Sequence, residues 1–423
     1  MQNTSQGIHT FSFYQRLNEN EYFSLNSDFE KYLKENDEMK RQPIKDKKDK
    51  KKIIGWIYTY KNGKGIRWVL SSTKVSHELT IYVIMAIITP KVLIENNYIA
   101  VANAADLEQV EDLFNKEAEK ISPILSKFGS SSMNRADPGL TIDLGELNYP
   151  CSPEQLTILI KRGDIPKHFV ERMEYYDKSH RKKADKYSHY LENDSVVINY
   201  YWKYPKQNTN HPNFANKEKS RNVIRFETEC KYRKLYSISK SLKRNSRYCK
   251  SYDDIAVDEL LEMAENSVRN PSIPIDVMFS DDVSANVVRS YFNKVIRQGD
   301  YLTLDGARWM VAAHNFRRDK EDRLIFALEL INECRSIVKA KKKLHGEEVK
   351  EFKRSLNDLD AILVNPVTIP RDWKINYIPH PLRAYYNHIT EEQLVPKAEV
   401  LFDKLLAEYL LEKKGYKTGA ESY

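Results

Sequence analysis

The sequence predicts an α+β protein in which a mostly antiparallel sheet is followed by an all-α region. Between residues 53 and 250, short apolar runs with strand-like alternation are separated by turns rich in Gly, Pro and Asn, which is typical of antiparallel strands. After about residue 251 these runs stop, and apolar residues recur at helical spacing between Gly and Pro. The chain of 423 residues is long enough for two or three domains, each with its own core.

The individual elements are predicted from the same patterns. A Gly-containing turn joins two strands, residues 79–88 form a buried strand or helix, and Asp106 is expected to cap a helix over 106–128. Ser152 and Pro153 predict the start of another helix. The remaining assignments are strands at 53–60, 66–72, 195–204 and 221–232, and a charged, helix-like segment at 170–190.

Three regions follow from these assignments. Residues 1–52 are polar and end in the run KDKKDKKK, which predicts a solvated basic arm or linker. Residues 53–250 are expected to form an α+β domain. Residues 251–423 are expected to be helical, and LTLDGARWMVAAHNF within them is compatible with a helix-turn-helix type module.

The composition indicates an intracellular protein that spans no membrane. The longest apolar run, residues 79–88, is too short to cross a bilayer, and the N-terminus lacks the features of a secretion signal. The four cysteines are far apart and show no CxxC spacing, so free thiols in a reducing compartment are expected. We therefore expect the protein in the cytoplasm.

Positive charge is concentrated in one stretch of the chain. Residues 201–250 contain 14 Lys and Arg against three acidic residues, whereas the whole chain carries a net charge of +8. Tyrosines and asparagines lie between these charges, which suits a surface that binds phosphates and stacks on bases. A solvated basic face without a partner is the alternative. The candidate DNA-binding residues are Arg221, Lys231, Arg233, Lys234, Lys243 and Arg244.

Three strand-like segments carry polar residues at alternate positions, which places them on one face of each strand. A sheet that collected these faces would bring together carboxylates, a tyrosine, a lysine and arginines. The alternatives are surface ion pairs and ordinary packing of tyrosine, which is abundant in this chain. The residues concerned are Arg135, Asp137 and Asp143, then Asn199, Tyr201 and Lys203, and finally Arg225 and Glu227.

This set of residues has a use in phosphodiester chemistry. Carboxylates without neighbouring His or Cys favour a hard cation such as Mg²⁺ or Mn²⁺, which stabilises charge during an in-line displacement. Tyr201 is a competent covalent nucleophile, and Lys203 would favour its phenolate. The Arg225 guanidinium matches the oxygens of a phosphate.

The segments RADPGLTIDL, VVINYYWKY, RNVIRFETECKYRKLYSISKSL and VNPVTIPRDW resemble rolling-circle replication initiators and conjugative nickases of Gram-positive mobile elements that lack the His-hydrophobic-His motif. The resemblance covers roughly residues 53–380 and is dense only in 130–240. It implies that Asp137, Asp143 and Glu227 bind the metal and that Tyr201 is the nucleophile. It also implies origin DNA, a host helicase and a polymerase as partners.

The chain departs from that pattern at several positions. Pro138 and Gly139 follow Asp137 where an uninterrupted strand is expected, so Asp137 is predicted to be misaligned or at an edge. Asn199 stands where a basic residue often precedes the tyrosine. Tyr200 and Tyr204 compete with Tyr201 for the role of nucleophile.

Two main functions follow from the sequence. The first is a replication initiator that nicks origin DNA, with a helical module that recognises the origin or forms dimers. The second is a non-catalytic DNA-binding regulator, and a structural or RNA-associated protein is a third option. The sequence contains no GxxxxGK[ST] phosphate loop, paired His-x-His or GxSxG motif, which disfavours ATP-driven and ester-hydrolysing enzymes.

Overall fold

The computed structural model describes residues 4–46, 49–61, 63–75, 79–130, 132–172, 175–176, 182–183, 186–210, 217–244 and 275–390. The protein has an α+β fold, with a large antiparallel sheet in the N-terminal part and a helical C-terminal region, as the sequence predicts. Two parts of the region predicted to be helical, residues 251–274 and 391–423, lie outside the described residues.

The described helices are α1 (Glu19–Glu35), α2 (Pro90–Glu95), α3 (Leu107–Ile121), α4 (Pro153–Lys161), α5 (Lys203–Asn210), α6 (Tyr232–Arg244), α7 (Ile275–Phe279), α8 (Asp281–Ile296), α9 (Leu304–Ala313), α10 (Arg318–Cys334), α11 (Ile337–Lys341), α12 (Glu347–Ala361) and α13 (Pro381–Thr390).

The described strands are β1 (Ser5–Leu17), β2 (Met39–Lys45), β3 (Ile53–Tyr60), β4 (Ile66–Lys74), β5 (Thr80–Ile88), β6 (Ser132–Asp143), β7 (Val170–Glu171), β8 (Tyr175–Tyr176), β9 (Lys182–Lys183), β10 (Ser188–Glu192), β11 (Val196–Trp202), β12 (Val223–Lys231), β13 (Tyr301–Leu302) and β14 (Tyr377–Ile378). Ten of them form one sheet in the order β2-β3-β4-β5-β1-β6-β12-β11-β10-β7.

The prediction that residues 1–52 form a solvated arm is wrong. They contain β1, α1 and β2, and β1 pairs with β5 on one side and β6 on the other. In β1, Phe11, Ser12 and Phe13 are all buried, so both faces of the strand are covered. A strand buried on both faces does not alternate between polar and apolar residues. The sequence of β1 therefore lacks the period-two pattern by which strands are predicted.

Several other elements differ from their predicted form. The segment 170–190, predicted to be helical, contains the short strands β7 to β10 in its described part. The strand predicted at 195–204 ends at Trp202, and Lys203 begins α5 instead of continuing the alternation. Asp106 precedes α3 without a side-chain cap, whereas Asn103 caps the short 3₁₀ turn before it.

Other predictions are confirmed. β3 and β4 form an antiparallel pair joined by the Gly-containing turn, and residues 80–88 form strand β5. Ser152 accepts a hydrogen bond from the Gln155 backbone at the start of α4, where Pro153 occupies the first turn. The described cysteines, Cys151, Cys230 and Cys334, are free thiols.

The chain divides into two compact units whose boundaries differ from the predicted domains. The first unit comprises Met1–Thr141, Glu192–Asn199 and Phe226–Val288, and the second comprises Ile142–Leu191, Tyr200–Arg225 and Arg289–Tyr423. Each unit therefore consists of three separate segments of the chain, whereas the predicted domains were continuous segments with boundaries at residues 52 and 250.

The first unit is built around an aromatic core. Phe13 packs edge-on against Phe114 and Phe128, with ring centroids 5.4 Å apart in both pairs. Phe29 of α1 stacks on Tyr58 of β3 at 4.1 Å. Such pairs contribute about 0.5–1.5 kcal/mol each beyond the area that they bury. Helices α1 and α3 are thus fixed to the sheet by aromatic contacts.

The second unit has a helical core that packs Met310 and Val311 of α9 against α10 and α12. A buried carboxylate, Asp300, links the end of the loop after α8 to the segment 377–383. It accepts hydrogen bonds from the Tyr377 hydroxyl at 3.1 Å and the His380 backbone at 2.5 Å, and it pairs with Arg383. The charge of Asp300 is therefore compensated where it is buried.

The helical prediction for LTLDGARWMVAAHNF is confirmed, because α9 covers Leu304–Ala313 and α10 follows after a short turn. Thr303 caps α9 by accepting a hydrogen bond from Gly306. In the described part of the chain, no helix is long and apolar enough to cross a membrane.

Candidate active site

The central feature of the first unit is an ion pair between Arg135 and Asp137, which lie two positions apart on β6. The Asp137 carboxylate is buried, whereas Arg135 is partly exposed. Arg135 donates from Nε to Asp137 Oδ1 at 2.8 Å and from Nη2 to Oδ2 at 2.6 Å. Residues two apart in a strand share a face, so this bidentate geometry follows from the Arg-x-Asp spacing. Asp137 is only 2 % exposed, and burial raises the pKa of its carboxyl to about 7 although Arg135 opposes the shift.

Strand β12 adds two further carboxylates to this group. Glu229 accepts a second contact from Arg135 Nη2, at 3.1 Å, so the guanidinium lies between Asp137 and Glu229. Glu227, two residues earlier on β12, also raises the pKa of Asp137 through its charge. Arg135 is thus the cation that holds together carboxylates from two strands.

The Glu227 carboxylate is held at both oxygens. His9 Nδ1 lies 2.9 Å from Oε1, and Asn199 donates from Nδ2 to Oε2 at 3.3 Å. His9 projects from β1 at a register shift between Ile8 and Thr10, and such bulges redirect side chains near functional sites. We call His9, Arg135, Asp137, Asn199, Glu227 and Glu229 the carboxylate cluster; all belong to the first unit.

The expected misalignment at Pro138 and Gly139 is wrong. β6 continues through both residues, with Pro138 opposite Ile8 and Gly139 opposite Gly7, and the irregularity falls on β1. Gly7 has a φ of +152°, and a Cβ there would lie 1.8 Å from the Ala102 oxygen, so only glycine fits. A glycine on the partner strand therefore takes up the distortion, and Asp137 remains in a regular strand.

The third predicted metal ligand, Asp143, belongs to the second unit. It ends β6, is 8 % exposed, and accepts a hydrogen bond from the Gly145 backbone at 2.9 Å. The structure thus places Asp137 and Glu227 in the carboxylate cluster, whereas Asp143 stabilises a turn in the other unit.

The donor atoms of the carboxylate cluster can be tested against a hard cation. Among the described residues, no group of three or more His, Cys, Asp and Glu side chains is arranged to hold a metal ion. The chemistry nevertheless fits Mg²⁺ or Mn²⁺, because Asn199 Oδ1 is buried without a hydrogen-bond partner beside the Glu227 carboxylate. Asp137 is the other buried carboxylate of the cluster, and both of its oxygens accept hydrogen bonds from Arg135.

The tyrosine predicted to be the nucleophile lies in the second unit. Tyr201 is 7 % exposed, and the ammonium groups of Lys203 and Lys206 lie 5.7 and 5.9 Å from its ring centroid. Both lysines come from α5, so Lys203 approaches Tyr201 from the helix and not along the strand.

The two competing tyrosines have different environments. Tyr200 is fully buried with its hydroxyl 3.1 Å from Thr157 Oγ1, and burial raises its pKa well above the usual range. Tyr204 donates a hydrogen bond to Glu218 at 3.1 Å. Tyr200 is therefore a packing residue, because a phenol that stays protonated is a poor nucleophile. Arg225, the predicted phosphate ligand, is also fully buried.

The predicted DNA-binding residues fall into two groups. Arg221, in the second unit, is exposed, pairs with Glu218 at 2.7 Å and lies over the Tyr204 ring at 5.3 Å. In the first unit, Lys231 donates to the Asn193 carbonyl and Arg233 is exposed. Lys234 is partly buried on α6. Lys243 and Arg244 lie on α6, but their side chains lie outside the described ones.

Sequence reasoning missed an aromatic surface in the second unit, which we call the aromatic platform and define as Tyr187, Trp202 and Tyr204. The Trp202 indole packs edge-on against Tyr187 at 5.6 Å and stacks on Tyr204 at 6.3 Å. Its Nε1 donates to the Arg221 carbonyl, and Lys186 lies over the Tyr187 ring. Half-buried rings flanked by exposed cations are the arrangement that binds single-stranded DNA by stacking.

His9 was also missed, because it lies in the segment interpreted as an arm and shows no paired spacing with another histidine. Only the strand pairing of β1 with β6 brings it to Glu227. A scan against protein-family models finds no match to the chain, and searches among curated proteins and solved structures find none either.

Proposed function

We propose that this protein is a tyrosine nickase that binds origin DNA and cuts one strand to start rolling-circle replication of a mobile element. The observation that carries the proposal is the carboxylate cluster, in which Arg135, Asp137 and Glu227 come together from two strands. These are the residues that the phosphodiester hypothesis requires on a common face. The resemblance to replication initiators, which rests on the same segments, favours the same function.

In this proposal Glu227, Asn199 Oδ1 and Asp137 would hold Mg²⁺ or Mn²⁺, whereas Asp143, the third ligand that the resemblance implies, belongs to the second unit and is left out. The cation, when bound, polarises the phosphodiester and stabilises the charge of the displacement. Arg135 contacts Glu229 as well as Asp137, so it would keep a carboxylate partner if a bound cation shared the Asp137 carboxylate. His9 keeps the Glu227 carboxylate oriented.

Tyr201 is the proposed nucleophile. Its phenolate oxygen forms a bond to phosphorus while the bond to the 3′ oxygen breaks, which gives a 5′-phosphotyrosyl enzyme and a free 3′ hydroxyl. Lys203 and Lys206 stabilise the phenolate and then the phosphoester. The free hydroxyl primes the host polymerase in the cytoplasm, and a host helicase unwinds the strand.

The aromatic platform and the basic residues of α6 supply the proposed DNA contacts. Trp202 and Tyr204 stack on unpaired bases, and Arg221 and Lys186 bind the adjoining phosphates. Because phosphate contacts release counterions, binding is expected to weaken steeply as salt increases.

The test is incubation of the purified protein with supercoiled DNA carrying its own coding region, in Mn²⁺ or in EDTA. Relaxation and a covalent protein–DNA adduct are read on a denaturing gel. We expect a metal-dependent adduct that is lost in Tyr201→Phe and retained in Tyr200→Phe and Tyr204→Phe. Glu227→Gln should lower the nicking rate by about 100-fold or more, whereas Glu111→Gln on the exposed side of α3 should leave it unchanged.

A second candidate function is a DNA-binding regulator without catalysis. Two observations favour it: Arg135 holds both Asp137 oxygens, and Tyr201 is largely buried. Tight, salt-sensitive binding without any adduct in Mn²⁺ would identify the regulator and exclude the nickase.

A further inference from the structure

The second unit contains a cavity of about 550 Å³ that none of the proposed catalytic or DNA-binding residues lines. It lies where the end of α4, the end of α10 and the segment after residue 370 meet. Three arginines face it, Arg162, Arg335 and Arg371, together with Asp372 and the Trp373 indole. A volume of this size is within the range of small-molecule sites.

Two of these arginines lack a charged partner. Within the described part of the chain, the guanidinium groups of Arg162 and Arg335 form no ion pair and no side-chain hydrogen bond. Burial lowers the pKa of Arg162, the like charge of Arg335 lowers it further, and Asp372 partly compensates. An anion between the two guanidinium groups would remove this repulsion.

Two other charged residues of the cavity are already paired. Arg371 contacts Asp305 of α9 at 2.7 Å, and Glu333 contacts Lys343 at 2.6 Å. The site therefore offers two cations that form no ion pair within the described residues, one carboxylate, Asp372, and one aromatic face, Trp373. This combination matches a ligand with an anionic group, hydroxyl or amino donors and a flat ring.

We propose that this cavity binds a nucleoside phosphate, with the phosphate between Arg162 and Arg335 and the base against Trp373. Asp372 accepts hydrogen bonds from the sugar hydroxyls or the amino group of the base. The ligand is either a free nucleotide or the terminal nucleotide of a DNA strand, since both present the same groups. The proposal concerns residues outside the nicking chemistry and holds whether or not Tyr201 cuts DNA.

Isothermal titration calorimetry of the full chain in EDTA tests the proposal. The titrants are ADP, inorganic phosphate and a 5′-phosphorylated single-stranded oligonucleotide. We expect ADP to bind more tightly than phosphate, and Arg162→Ala combined with Arg335→Ala to weaken ADP binding about tenfold or more. Trp373→Ala should weaken ADP but not phosphate. Arg354→Ala, which removes an exposed arginine of α12 away from the cavity, is the matched control.

The outcomes are distinct. If the double variant loses affinity for ADP but not for the oligonucleotide, the ligand is a free nucleotide. If it loses affinity for both to the same extent, the cavity also accepts the terminal nucleotide of a strand. Absence of ADP and oligonucleotide binding to the wild type would overturn the proposal. So would ADP binding that the double variant leaves intact, or phosphate binding as tight as that of ADP. An unchanged unfolding temperature of the variants excludes misfolding as the cause of a loss.

Discussion

His9 Nδ1 lies 2.9 Å from Glu227 Oε1, which joins a bulged residue of β1 to the glutamate of β12. The contact leaves Glu227 with one orientation, since Asn199 holds its other oxygen. A residue that orients a metal-binding carboxylate affects activity without contacting the substrate. His9 is in this sense a positioning residue of the proposed active site.

His9→Ala should therefore lower the nicking rate about tenfold and raise the Mn²⁺ concentration needed for half-maximal activity. DNA affinity in EDTA should stay the same. His9→Asn can place its amide nitrogen near the position of Nδ1 and should restore most of the activity. Equal activity of the alanine and asparagine variants would exclude the orienting role.

Trp202→Ala should weaken the binding of single-stranded DNA about tenfold or more, because stacking on an aromatic ring contributes about 1–3 kcal/mol per base. Trp202→Phe retains a ring and should retain most of the affinity. Fluorescence anisotropy with a labelled oligonucleotide measures both variants. Wild-type affinity in Trp202→Ala would show that the aromatic platform does not bind DNA.

Gly7→Ala should destabilise the protein by about 3 kcal/mol or more, because its Cβ would overlap the Ala102 oxygen at 1.8 Å. Gly129 also has a positive φ, +77°, but a Cβ there meets no atom within 4 Å. Gly129→Ala should therefore cost only about 1 kcal/mol. Urea unfolding of the two variants gives the comparison, and equal losses would contradict a steric cause at Gly7.

His380 should make the protein less stable in acid. Burial and then the charge of Arg383 lower the pKa of this imidazole from 6.5 to about 3. The Arg383 backbone donates to its Nδ1, so the neutral ring carries its proton on Nε2, which faces the Arg297 carbonyl. Below pH 6.5 His380 becomes protonated in the unfolded chain, whereas in the folded chain it stays neutral down to about pH 3.

The contribution of His380 is accordingly complete above pH 6.5 and is lost, by about 1 kcal/mol per pH unit, as the pH falls from 6.5 toward 3. His380→Gln cannot be protonated in this range. The free energies of unfolding of wild type and variant should therefore converge with falling pH in urea titrations. Parallel curves between pH 7 and pH 4 would contradict the assignment.

Local patterns in the sequence were enough to predict the α+β class, the β3–β4 hairpin, the capped start of α4 and the helix within LTLDGARWMVAAHNF. They were also enough to single out Arg135, Asp137 and Glu227, because alternation along a strand fixes which residues share a face. What the sequence could not reveal depends on pairing between distant segments. β1 lacks alternation because both of its faces are buried, so His9 was assigned to an arm.

The Pro138-Gly139 error has a related cause. The effect of a proline on a strand depends on its partner, and here the partner strand offers Gly7, which absorbs the distortion. Likewise, the environments of Tyr200 and Tyr201 are set by Thr157 and by the turn into α5, which neighbouring residues in the sequence do not indicate.

The central place of β1 in the sheet has a consequence for how the protein is made. Both sheet neighbours of β1 lie far from it in the sequence, and Ser12 bonds Asn134, a residue 122 positions later. After β5 has paired with one edge of β1, the other edge must therefore wait for β6, which follows more than a hundred residues after β1. Contacts of such long range slow folding and expose unpaired strand edges to aggregation. Slow translation or chaperone binding between residues 17 and 132 should accordingly govern the yield of folded protein.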